Sequence, residues 1–499
     1  MPISNASKRG GVIALSALAT VLSLQGCTTA PGAGEGTAGL PATVQTISEE
    51  DKRQGAEAHP QLLAEFGGGV VGPQANYVET VGKNIALQSG LSNARGDFTV
   101  TLLNSPINNA FAIPGGYVYV TRQLTALMNN EAELAAVLGH EVGHVAARHS
   151  NKRQKAATRN SIIGAVGTIL SGVLLGDSSF GQLGQKLFSQ GSQLLTLSYS
   201  RSQETEADNL GVEYLRNAGY DPRAMSTVLQ SLARQNALEA SLRGTSNRVP
   251  EWASTHPDPA KRVPAALTRA GSNATGVTNR DGFLTSIDGL TYGDDPKQGI
   301  VDGRNFTHPE LRLYFQAPDG YYMVNGTRAV SINGGSGKAQ FTGAAYDGDL
   351  DKYVRNGFAA LGNGQQINPG EVTRTTINGL SAAYAIARVA NGSSQLDVVV
   401  FAYEFAKDRA YHFVTISQAG TASNFSSMFN SMRRISTTEA GQIKPRKLDV
   451  VTVRSGDTVN SLAARMAYDD AKLERFLVLN GLSADVVLRV GDRVKIVTY

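Results

Sequence analysis

VLGHEVGHVAARHS, residues 137–150, sets His140, Glu141 and His144 inside one helical pattern. Asn130, followed three residues later by Glu133, reads as a helix start with a capping-box-like arrangement. Leu134, Val137, Leu138 and Val145 supply an apolar face. Four residues apart on a helix, the imidazoles of His140 and His144 project from one face and can grip a single ion, with Glu141 beside them in reach of a water. That is the geometry a hydrolytic zinc site needs, and the rest of the chain decides between it and a structural helix that happens to be rich in histidine. His149, five residues past His144, is expected to face away from the ion and meet the last helix carbonyls.

Two histidines leave a tetrahedral site one protein ligand short, besides the open position that catalysis needs. SYSRSQETEADNLGVEYLRNAGYDP, residues 198–222, offers Glu204, Glu206 and Asp208 on a second helical pattern. Glu204 and Asp208 share a face, so Glu204 can ligate while Asp208 accepts the outer ring N–H of a ligand histidine and fixes its tautomer. Glu206 is expected to point elsewhere.

The 499 residues, 41% hydrophobic, suffice for more than one core. Lys8 and Arg9 account for two of the four net positive charges, and the remaining balance argues against nucleic acid as a partner. They precede the apolar run GVIALSALATVLSL, residues 11–24, which is shorter than the roughly 20 residues of a membrane span and has the shape of a signal-peptide core. Cys27, the single cysteine, has no partner for an internal disulfide and sits where lipidation occurs. Residues 1–26 resemble a bacterial lipoprotein signal with Leu24, Gln25, Gly26 and Cys27 as the lipobox, Gln25 being a less usual residue there. The resemblance implies acylation of Cys27 and, with Thr28 in place of aspartate, a lipid-anchored protein of the outer membrane facing the periplasm.

Residues 27–45 are Gly/Pro/Thr-rich and read as a flexible tether. Helical periodicity dominates 46–270, whereas 271–440 carries Gly-punctuated strand-like runs such as LDVVVFAYEF and AYHFVTISQ, with a helix expected over TASNFSSMFNSMRRI. The apolar stretch SIIGAVGTILSGVLLG, residues 161–176, is too short and Gly/Ser-rich for a span and reads as a helical hairpin, buried or docked on a surface. A final unit, 446–499, shows strand, helix, helix, strand with Gly-Asp turns at 456–457 and 491–492.

HEVGH, then SRSQETEAD, with NNAFAIPGGYVYVTRQL before and STHPDPAKRV after, resembles the periplasmic and membrane zinc metalloproteases of the HtpX-like, BepA-like and CAAX-prenyl-protease-like group. The likeness covers roughly 46–270. It implies a mainly α zincin-type domain with a small edge sheet, one zinc per chain on His140, His144 and Glu204, Glu141 as general base, and Asp208 behind the ligands. It also implies Asn109, Ala110 and Phe111 as a substrate-binding edge strand, and His256 as a loop histidine that approaches the zinc and holds the enzyme inhibited. The last unit resembles a LysM domain, with Gly456, Asp457, Thr458, Leu462, Asn480 and Leu482 at pattern positions, and implies peptidoglycan binding. The expected architecture is thus multidomain: zincin-type domain, α+β domain without visible chemistry, and a small βααβ unit. The expected function is a zinc metalloendopeptidase acting on unfolded or misassembled envelope proteins. The alternative is a peptidoglycan-binding scaffold or chaperone with a latent metal site.

Overall fold

A computed structural model describes residues 46–150, 199–242, 256–361, 367–391 and 394–499. The signal, the tether with Cys27 and the stretch 161–176 lie outside the described residues. Helix α1 (Glu49–Glu65) starts on a capping box between Ser48 and Asp51, and α2 (Pro73–Ala86) on a proline in its first turn. Strands β1 (Thr99–Leu103), β2 (Ala110–Ile113) and β3 (Tyr117–Thr121) form a sheet of order β1-β3-β2, with β3 parallel to β1 and antiparallel to β2.

Helices α3 (Arg122–Leu127), α4 (Glu131–Ala146), α5 (Arg201–Asn217), α6 (Ala224–Leu242) and α7 (Pro259–Ala270) follow. Asn130 caps α4 by accepting the Glu133 N–H at 3.0 Å. The Glu133 carboxylate reaches one residue further back than a capping box requires and accepts from Asn129 N at 2.7 Å. Two glycines let α4 and α5 approach closely. A Cβ on Gly143 would lie 3.2 Å from the Ala207 carbonyl oxygen, and one on Gly211 would strike Met225 Cε at 2.5 Å and lie 3.2 Å from His140 N. That contact brings the histidine face of α4 against the acidic face of α5.

Helix α8 (Arg280–Ile287) and strand β4 (Thr291–Tyr292) precede a β-rich region. Its strands are β5 (Ile300–Asp302), β6 (Asn305–His308), β7 (Leu313–Gln316), β8 (Tyr322–Asn325), β9 (Val330–Gly334) and β10 (Gly337–Ala345). After helix α9 (Leu350–Leu361) come β11 (Thr373–Ile377), β12 (Leu380–Asn391), β13 (Ser394–Ala406) and β14 (Arg409–Gln418). Helix α10 (Ser426–Ser431), strand β15 (Arg433–Arg434) and helix α11 (Thr437–Gln442) complete it. The main sheet is antiparallel with order β11-β12-β13-β14-β10-β9-β8, and β15-β7-β6-β5 make a second. Both faces of β13 are covered, which explains its near-continuous apolar run. Val398, Val400 and Ala402 pack with Leu350, Val354 and Phe358 of α9, while Val399, Phe401 and Tyr403 pack with Phe413 and with Met428 and Phe429 of α10.

The C-terminal unit is β16 (Arg446–Thr452), α12 (Val459–Ala464), α13 (Lys472–Leu479) and β17 (Arg493–Thr498). The two Gly-Asp turns place Gly456 at φ 88° and Gly491 at φ 96°, where a side chain would strain the backbone. Its sheet has a third strand from far upstream: β4 pairs with β16, Tyr292 opposite Arg446. Leu462, Phe476 and Ile496 belong to the same apolar cluster as Leu134 and Leu138 of α4 and Phe283 of α8. The clusters of the β-rich region run only from Phe306 to Met432. Residues 280–292, read from sequence as the start of the middle region, therefore pack with the helical core and the C-terminal unit.

Candidate metal centre

Helix α4 delivers His140 and His144, α5 delivers Glu204, and the segment entering α7 delivers His256. One ligand atom from each of the four lies within 4.8 Å of all the others, and all four residues are buried. The two Nε2 atoms of His140 and His144 are 3.0 Å apart. Glu204 Oε1 stands 3.5 Å from His144 Nε2 and Oε2 stands 3.6 Å from His140 Nε2. Glu204 Oε1 is buried with no hydrogen-bond partner among the described residues, an arrangement that is costly unless a cation satisfies it. Imidazole nitrogens and a carboxylate turned on one point fit a zinc ion in donor type and number.

Behind the ligands, Asp208 Oδ1 lies 2.9 Å from His140 Nδ1, which turns the Nε2 lone pair inward. Arg262, at the end of the first turn of α7, donates from Nε to Asp208 Oδ2 at 2.7 Å and also donates to Glu204. Burial would raise the Asp208 carboxyl, but the Arg262 charge and the bonds from His140 and Arg262 bring it down to about 2. Glu204 is pushed up to about 7 by burial, which His256 and Arg262 only partly offset. Burial likewise raises Glu141 to about 8 and lowers His256 to about 3. His256 Nε2 lies 3.3 Å from Glu141 Oε1, so the loop histidine occupies space next to the base as well as to the ligands.

The acidic pair sits where helical spacing placed it, and one expectation needs correction. His149 does not face away: its Nδ1 is 2.8 Å from His144 Nδ1, and its Nε2 is 3.1 Å from Glu206 Oε2. The reason is local. α4 stops at Ala146, and Arg148 takes a left-handed φ of 53°, folding the chain back under His144 where a continued helix would have carried it round. Glu206 does leave the ion, and its destination is this second histidine. The side chains of Ala110 and Phe111 are buried, Phe111 stacking on Tyr119 with ring centroids 4.6 Å apart. What β2 presents is a backbone edge, since among the described residues it pairs only with β3. Asn109 N–H donates to Thr121 Oγ1 at 3.2 Å, and its buried Oδ1 has no partner among the described residues.

Two contributors escaped the sequence reading. Arg262 stands six residues after His256 in the same motif, and its place in that motif was its only signal. Tyr199 stacks on His144 with ring centroids 3.6 Å apart and planes at 15°.

Residues 73–270 match the model of Peptidase family M48, and residues 451–497 match that of the LysM domain. The beta-barrel assembly-enhancing protease of Yersinia pestis is 32% identical over 197 residues, 39% of this chain and 38% of its own length. That of Escherichia coli strain K12 is 32% identical with the same coverage. The mitochondrial metalloendopeptidase OMA1 of Schizosaccharomyces pombe is 34% identical over 216 residues, 43% of this chain and 59% of its own. The chain thus spans 38–59% of the length of these relatives. The stretch carrying His140, His144, Glu204 and His256 is a peptidase family M48 domain, and the βααβ unit at the C-terminus is a LysM domain.

Proposed function

We propose that the chain is a zinc-dependent endopeptidase of the cell envelope, with His140, His144 and Glu204 as the metal ligands, Glu141 as general base and His256 as a withdrawable fourth group. The observation that carries this reading is the convergence of four buried ligand atoms within 4.8 Å, with the Glu141 carboxylate beside them. His140, His144 and Glu204 would hold a zinc ion, which would supply a Lewis acid to polarise a scissile carbonyl and acidify a water. Glu141 would take the proton of the attacking water and hand it to the leaving amine. Asp208 keeps His140 in one tautomer, and Arg262 balances the acids behind it.

The unpaired edge of β2 supports an extended substrate added as a strand, a mode that favours unfolded or misassembled chains over compact ones. The beta-barrel assembly-enhancing proteases among the relatives agree with envelope quality control. Anchoring through acylated Cys27 in the outer membrane and peptidoglycan binding by the LysM domain complete the proposal. Among the described residues no helix is long and apolar enough to cross a membrane.

The position of His256 implies latency. The test is cleavage of casein by the chain starting at Thr28, with bound zinc measured alongside. Glu141→Gln should retain zinc and lose about 10²–10⁴-fold in rate, and His256→Ala should raise the rate above the parent's. Bound zinc without cleavage by any variant would replace the enzyme with a wall-bound scaffold or chaperone; absence of zinc would remove the metal centre altogether.

A further inference from the structure

We propose that His149 and Glu206 form a positioning relay that orients His144 for the metal, a role resting on the zinc reading above. The two ligand histidines are held by different devices. His140 has a carboxylate directly behind it, Asp208 at 2.9 Å from Nδ1. Among the described residues no carboxylate stands at that distance from His144 Nδ1; it meets His149 Nδ1 at 2.8 Å, and His149 Nε2 meets Glu206 Oε2 at 3.1 Å. Turning the His144 Nε2 lone pair toward His140 and Glu204 requires the proton on its Nδ1. His149 then accepts at Nδ1 and carries its own proton on Nε2, where Glu206 accepts it. Every donor meets an acceptor, so one arrangement of protons satisfies the whole row.

Three further observations mark this as a built arrangement. His149 is fully buried, whereas the Glu206 side chain is 44% exposed, so the row runs from the site to the surface. The left-handed backbone at Arg148 is what brings His149 under its neighbour, and that conformation is unfavourable for a residue with a side chain. Tyr199 closes the remaining freedom by stacking on the His144 ring. His144 is thereby fixed at its edge by His149 and on its face by Tyr199.

The experiment compares His149→Ala, His149→Asn and Glu206→Gln with the parent chain from Thr28. Zinc affinity is measured by competition with a chromogenic chelator, and unfolding midpoints are measured with and without zinc. Outer partners of ligand histidines are worth about 10–100-fold in metal affinity, so His149→Ala should lose that much and Glu206→Gln a smaller part. His149→Asn, whose Oδ1 can accept from His144 Nδ1, should recover most of it. A 10–100-fold loss removes about 1.4–2.7 kcal/mol of the stabilisation that zinc adds, while a space-filling role would lower apo and zinc-loaded stability equally. Such an equal drop, or parent-like affinity in Glu206→Gln, whose exposed side chain tolerates the change without unfolding, overturns the relay and leaves the metal centre standing. Failure of the parent itself to bind zinc overturns both.

Discussion

Lys495 of β17 carries its amine into the joint between the LysM domain and the helical core. The amine is buried and donates to the carbonyls of Ala126 at 2.8 Å, Leu127 at 3.3 Å and Met128 at 2.6 Å, at the end of α3. Burial drives the amine well below its ordinary pKa, and the charge of Glu133 opposes that shift. Glu133 is itself buried in the first turn of α4, held by Asn129 N at 2.7 Å and Thr227 Oγ1 at 2.6 Å. Lys495→Met keeps most of the volume and removes the amine, leaving three carbonyls without their donor. Leaving buried carbonyls without a donor costs about 1–3 kcal/mol, which urea unfolding followed by circular dichroism should show. Glu133→Gln made in the Lys495→Met chain should cost less than in the parent, with a coupling of roughly 1–3 kcal/mol. A loss below about 1 kcal/mol, the value of an exposed pair, or strictly additive single effects, would refute the buried clamp.

Arg262→Met should destabilise the metal-free chain by about 3–5 kcal/mol, because it strands two buried carboxylates, and the loss should shrink when zinc supplies positive charge; denaturation in chelator and in zinc compares the two. His412, buried in β14 against Tyr353, has its pKa lowered to about 4 by burial, below the roughly 6.5 of an unfolded chain. The unfolded state therefore binds the proton first: this stability is fully present above pH 6.5 and is lost as pH falls through 4, about 3 kcal/mol in all. His412→Asn should flatten that part of the pH–stability curve; an unchanged acid limb would exclude the residue as its source.

What was legible in the sequence was local or helical. Asn130 as cap, the one-sided spacing of His140 and His144, and the i, i+4 relation of Glu204 to Asp208 follow from 3.6-residue periodicity, and the structure places these groups together. The same periodicity misplaced His149, because one left-handed residue, Arg148, ended the helix a turn early. Arg262 is 54 residues from Asp208, and its role exists only once α7 packs against α5. Strand order in the seven-stranded sheet, with β10 beside β14, is likewise set by distant pairing that alternation cannot supply. Lys495 reads in sequence as an ordinary strand lysine with an exposed end; only the docked partner surface makes it a buried donor.

The docking also changes how the chain can be cut. Residues 280–292 and 446–499 share one core with α4, while the apolar clusters between Phe306 and Met432 are separate. In the antiparallel pair of β4 and β16, Tyr292 lies opposite Arg446 and Thr291 opposite Lys447. The two ends that would flank a deletion of 293–445 are therefore neighbours across a ladder, the geometry that a two-residue Asn-Gly turn closes. Such a chain should fold, bind zinc and keep the LysM domain docked. Its main loss is at Arg122, buried beside β4, which gives up the nearby charges of Asp294 and Asp295 while keeping its bonds to Asn104 and Thr291. A stranded buried charge costs about 3–5 kcal/mol, so Arg122→Met in the shortened chain should recover part of the stability. If the shortened chain carrying Arg122→Met neither unfolds cooperatively nor binds zinc, the β-rich region is integral to the helical core; if it does both, that region is an insertion into a protease whose two halves meet through β4 and β16.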